Sequence, residues 1–118
     1  MQYTLQDAAQ ICILIEPHLA SIGLHAAIGG SLAYRGTSTK DIDIILYPHN
    51  RDVVVKRLSI VSLLISIGFT PVKELPPTST RVPDVHATTS AKGERVDFFF
   101  MQRGEFMPTN PIPPCIEI

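Results

Sequence analysis

The sequence predicts a small α/β (α+β) domain, a mixed β-sheet with helices packed on one face. Three observations carry this expectation. Apolar residues recur at helical spacing over 5–22 and 51–67. Short β-prone runs lie between and after them, at 25–28, 42–47, 69–72, 85–89 and 95–101. The last two runs are joined by Ser90-Ala91-Lys92-Gly93-Glu94, a hairpin signal that carries its glycine.

Each element has its own warrant. In the first helix Ala8, Ile11, Cys12, Ile15 and Leu19 share a side, Gly23 is a stop, and Pro17 predicts a kink or break because a proline has no N–H for the helix ladder. A short strand at 25–28 runs into Gly29-Gly30, and a short helix follows at 31–34. The strand at 42–47 is closed by Pro48-His49-Asn50. In the second long helix Val54, Leu58, Val61 and Ile65 recur at spacings of four and three, with Gly68 just past the end. Four prolines between 71 and 83 suit an extended connection at the rim of a site. The Pro-rich stretch at about 107–118 reads as an extended tail that lies along the surface or against another subunit.

Bulk properties narrow the function classes. A chain of 118 residues that is 45% hydrophobic is expected to form one domain, 1–118, with a sizeable core. Ten basic against eleven acidic residues exclude a broad positive surface for long nucleic acid. Cys12 and Cys115 make neither a disulfide framework nor a metal-binding spacing. The start of the chain lacks the basic and apolar regions of a secretory signal, which points to a cytoplasmic protein. The apolar run at 58–69 is interrupted by serines and falls short of the ~20 residues that cross a bilayer, so no membrane partner is expected. His18, His25, His49 and His86 show no metal-ligand spacing and are expected to be packed or surface side chains.

The chemistry concentrates at Ile28-Gly29-Gly30-Ser31 and Asp41-Ile42-Asp43-Ile44. In an extended strand alternate side chains share a face, so Asp41 and Asp43 project together while Ile42 and Ile44 enter the core. The glycines permit positive φ and close approach of the backbone to an anion, and Ser31 with the amides beside it could hold phosphate oxygens. Arg35 and Lys40 flank the spacer and could pair with a triphosphate. Asp97, on a later strand beside Val96 and Phe98, is a third carboxylate for the group. Three carboxylates on neighbouring strands repel one another, and a bound divalent cation supplies the compensation.

These residues resemble the nucleotidyltransferase fold of the DNA polymerase beta superfamily. The pattern is an apolar residue, Gly-Gly-Ser, a spacer of about ten and Asp-x-Asp, and Thr39-Lys40-Asp41-Ile42-Asp43 is similar to the form found in small stand-alone bacterial and phage nucleotidyltransferases. The resemblance is tight over 28–47 and thinner beyond. It implies transfer of a nucleoside monophosphate from an NTP, for example ATP, to an acceptor hydroxyl on a small molecule, a protein or an RNA end, with release of pyrophosphate. It further implies two Mg²⁺ ions, with Mn²⁺ as the alternative, on Asp41, Asp43 and Asp97, and a nucleotide held by Gly29, Gly30, Ser31, Arg35 and Lys40. The spacer is short, and the helical domain with which larger members select their substrates is not part of this sequence, so a homodimer or a partner protein could complete the pocket. A second reading keeps the fold without turnover, as a nucleotide- or partner-binding domain of a toxin-antitoxin or phage-defence pair.

Overall fold

The computed structural model describes residues 2–50, 52–72 and 85–101. Most of the proline-rich connection and the whole 107–118 tail lie outside the described residues. Along the chain run β1 (Tyr3–Thr4), α1 (Leu5–Ala20), β2 (Leu24–Gly29), α2 (Gly30–Arg35), β3 (Thr37–Ser38) and β4 (Ile42–Pro48). They are followed by α3 (Arg57–Ser66), β5 (Thr70–Pro71), β6 (Val85–Thr89) and β7 (Arg95–Phe100).

Five strands form one mixed sheet in the order β2-β4-β7-β6-β5. The β4–β7 pair is parallel, and the other three pairs are antiparallel. Alternation along the strands decides what each face carries. Ile42, Ile44 and Leu46 of β4 stand opposite Val96, Phe98 and Phe100 of β7, and all six are buried. They form one cluster with Ala8, Ile11, Ile15 and Leu19 of α1, Leu32 of α2, and Ile60 and Leu64 of α3. The helices therefore cover one face, and the intervening positions, Asp43 and Asp97 among them, project from the other.

Helix α1 begins with a reciprocal cap. The Thr4 hydroxyl accepts from the Asp7 N–H at 3.2 Å, and the Asp7 carboxylate accepts from the Thr4 N–H at 2.8 Å. Of the kink or break expected at Pro17, the break is absent, since the helix runs on to Ala20. The proline sits in the last turn, and the carbonyl it deprives belongs to Ile13, a residue that is 73% exposed and not part of the core.

Helix α3 departs from the sequence pattern in two ways. It starts at Arg57 and not at 51: Val53-Val54-Val55 are β-branched, and the backbone is still extended at Lys56, the cap residue. Its core-facing stripe is Ile60 and Leu64, while Val54, Leu58 and Ile65 are exposed. A helix that is apolar nearly all round offers two stripes, and periodicity alone does not say which one the sheet covers. The strand expected at 69–72 shortens to two residues, because Phe69 turns into the core edge-on to Phe98 with ring centroids 5.2 Å apart.

The pairing of β1 with β3 was not visible in the sequence. Tyr3 stands opposite Ser38 and Thr4 opposite Thr37, which fastens the spacer between α2 and β4 to the start of α1. None of the described helices is long and apolar enough to cross a membrane.

Candidate active site: a three-aspartate cluster

The cluster forms because two strand registers bring three residues into line. Asp43 is opposite Gly29 on one side and opposite Asp97 on the other. Asp41 precedes β4 by one residue, and both its N–H and that of Lys40 point to the Ser38 hydroxyl at 3.4 Å. Each of the three aspartates offers a carboxylate oxygen, and these oxygens lie within 4.8 Å of one another.

The space beside Asp43 exists because residue 30 lacks a side chain. Gly30 has φ +61°, and a Cβ built there would fall 1.9 Å from Asp43 Oδ2 and 2.8 Å from its Cγ. Gly29 works differently from the expectation. Its φ of −127° is extended backbone open to any residue, and what it requires is room, since a Cβ would lie 2.8 Å from Ile45 Cδ1. One glycine therefore supplies a left-handed turn and a seat for a carboxylate, and the other lets β2 pass over Ile45.

The electrostatics follow from crowding. The Asp43 carboxyl is pushed up to about 6, first by its removal from water and then by the charges of Asp41 and Asp97. Asp41 is also raised, first by its removal from water and then by the charge of Asp97 and a hydrogen bond with it, while its hydrogen bond with Asp43 acts the other way. Arg95 opposes the trend in both cases. Its Nε donates to Asp97 Oδ1 at 2.9 Å, and its own N–H donates to the Tyr3 hydroxyl at 3.2 Å. Arg95 and Asp97 share a face because they are two apart on β7, a spacing that is legible in the sequence. Ser38 and Tyr3 had no comparable signal, since their part depends on the β1–β3 pairing.

Ser31, Arg35 and Lys40 lie around an open polar cleft of about 290 Å³ that is also lined by Thr37, Ser38, Thr39 and Asp41. All three are exposed at the surface. The structure thus brings the three aspartates together, sets Gly30 against Asp43, and arranges Ser31, Arg35 and Lys40 around an adjoining cleft. A separate apolar cavity of about 110 Å³ between α1, the end of α3 and the 90–94 turn includes Ile11, Leu14 and Phe69, and none of the three aspartates reaches it.

The donor set suits a hard divalent cation: three carboxylates, no sulfur or imidazole, and more negative charge than the surroundings solvate. No protein-family model matches the sequence, and no curated protein does. Among solved structures the chain is similar to a cytoplasmic RNA terminal U-transferase, with a TM-score of 0.56 and 18% identity over 83% of this chain. That likeness shows the fold, a nucleotidyltransferase fold. The matched region spans 29% of the U-transferase chain.

Proposed function

We propose that this protein is a metal-dependent nucleotidyltransferase that moves a nucleoside monophosphate from an NTP to an acceptor hydroxyl and releases pyrophosphate. The observation that carries the reading is the meeting of Asp41, Asp43 and Asp97 beside Gly30 on the open face of a nucleotidyltransferase fold. Asp41, Asp43 and Asp97 would hold two divalent ions, Mg²⁺ or Mn²⁺, which when bound supply Lewis-acid activation of the acceptor oxygen and charge stabilisation of the departing pyrophosphate.

The remaining work falls to the chain's own groups. Arg35, Lys40 and Ser31 bind the β- and γ-phosphates in the polar cleft, and the Gly29 and Gly30 amides, next in the chain to Ser31, add to that binding. Asp41 lines the same cleft, so phosphates held there lie beside the carboxylate cluster, where the α-phosphorus is placed. Asp97 receives the acceptor's proton as the acceptor oxygen bonds to the α-phosphorus and the bond to the β-phosphate oxygen breaks. Arg95 holds the Asp97 carboxylate in one orientation for that transfer. The acceptor is a small molecule, a protein or an RNA end, and a homodimer or a partner protein completes its pocket. The location is cytoplasmic. The RNA end gains support from the U-transferase, whose substrate is RNA and whose location is cytoplasmic.

The test is turnover. Four radiolabelled NTPs are supplied with Mg²⁺ and a panel of acceptors, and pyrophosphate and labelled acceptor are measured. Asp41→Ala and Asp43→Ala are each expected to abolish release while leaving the far-UV spectrum intact. Pyrophosphate released at the wild-type rate by the double variant would overturn the assignment. Saturable NTP binding without turnover in any combination would move the protein to the reading of a silent nucleotide-binding domain.

A further inference from the structure

At the other end of β2 and β4, three side chains that no part of the proposed chemistry uses come together. His25 and Tyr47 are paired in register, four residues from the Gly29 and Asp43 pair, so this end of the sheet lies about 13 Å from the aspartates along the strands. The His25 Nδ1 meets Glu16 Oε2 of α1 at 2.7 Å, and Glu16 Oε1 also accepts from the Ala26 N–H at 3.1 Å. The His25 Nε2 faces His49 Nδ1 at 2.8 Å. His49 is itself held by its backbone N–H, which donates to the Gly23 carbonyl at 2.7 Å.

The structure assigns a second metal site to this trio: His25 and His49 bind a borderline divalent transition ion of the Zn²⁺, Ni²⁺ or Cu²⁺ class, with Glu16 orienting His25 from behind and water filling the other positions. Three features carry the assignment. A carboxylate on Nδ1 fixes the tautomer of His25 so that Nε2 presents its lone pair, which is how metal-ligating histidines are held. The second imidazole nitrogen already lies 2.8 Å away, where His49 Nδ1–H donates to His25 Nε2; an ion would replace that hydrogen bond, His49 shifting its proton to Nε2, and since two nitrogens bound to one tetrahedral ion at about 2.0–2.1 Å are about 3.3 Å apart, the pair opens by about half an ångström. The site is reachable, since His49 is exposed and the His25 side chain keeps 29% of its surface. Imidazole ligands select against the hard ion expected at the aspartates, so the two sites would sort metals by chemistry.

The probe is Zn²⁺, titrated calorimetrically into the full chain in millimolar Mg²⁺. One saturable Zn²⁺ site per chain is expected. His25→Ala and His49→Ala should each weaken it at least tenfold, Glu16→Gln about tenfold as an orienting group, and Asp41→Asn with Asp43→Asn should leave it unchanged. Should a histidine variant fail to fold, the wild-type imidazole ¹⁵N resonances provide the second measurement, with His25 Nε2 and a His49 nitrogen expected to shift on Zn²⁺ addition. Absence of saturable binding, retention of full affinity in either histidine variant, unshifted histidine nitrogens, or loss of binding in the aspartate variant would each overturn the assignment. The aspartate arm makes this result independent of the turnover experiment.

Discussion

At the scale of single residues, the point of least tolerance is Gly30. A methyl group there must enter the volume of the Asp43 carboxylate, and the backbone at φ +61° resists any L side chain. Gly30→Ala is therefore expected to abolish turnover by turning Asp43 away from Asp41 and Asp97, with a melting temperature several degrees lower. Gly93 also has positive φ, but no atom lies within 4 Å of the Cβ built there, so Gly93→Ala carries only the conformational cost and should leave turnover unchanged. Steady-state kinetics and a thermal melt on the two variants check the contrast. Arg95→Met is the second prediction at this scale. It removes the guanidinium that holds Asp97 and counters the charge on Asp41 and Asp43. It should lower kcat more than it raises KM for the NTP, because Arg95 is a positioning residue and lies outside the polar cleft.

At the scale of elements, packing separates apolar residues that the sequence does not separate. Leu58 and Ile60 belong to the same apolar helix, yet Leu58 is 75% exposed and Ile60 fully buried. Ile60→Ala should cost about 2–5 kcal/mol and Leu58→Ala within about 0.5 kcal/mol, read from urea midpoints at constant m. The same contrast explains what was legible. β4 and β7 could be read because a sheet buried on one side writes alternation into Ile42-Asp43-Ile44 and Val96-Asp97-Phe98, and that alternation also gave the facing of the aspartates. The α3 stripe could not be read, because the choice between Leu58 and Ile60 is made by the sheet and not by the helix. The β1–β3 pair was hidden for a related reason: two-residue strands carry no period, and Tyr3 meets Ser38 only after α1 and α2 have folded back. The positioning of Asp41 by Ser38 was hidden with it.

For the whole molecule, the gathered carboxylates trade stability for a binding site, and pH reads the trade. Asp43 titrates at about 6 in the folded chain against an ordinary value of 3.8, and Asp41 is also raised. Between those values the folded state binds more protons than the unfolded one, so metal-free stability from this cluster is greatest below the lower value and declines as pH rises through about 6. Glu16 runs the other way. Its carboxyl is lowered by the His25 hydrogen bond, so its contribution is present above its ordinary value of 4.5 and lost as pH falls through its folded value. The window between about 4.5 and 6 therefore excludes Glu16 but not His86, whose burial and nearby Arg57 hold its value below the usual 6.5 and cost stability as pH falls, so the aspartate share is read as the difference between the wild type and Asp43→Asn. In EDTA, Asp43→Asn should melt above the wild type at pH 7.5, and the gap should narrow as pH is brought down to 5. Mg²⁺ should reverse the order at pH 7.5, since a ligand at a hundred times its Kd adds about 2.7 kcal/mol to the state that binds it, about 4–8 °C per kcal/mol in a domain of this size. An Asp43→Asn variant whose melting temperature stays level with the wild type's over this range, together with a wild type that ignores Mg²⁺ at pH 7.5, would mean that the three carboxylates do not act as one charged site.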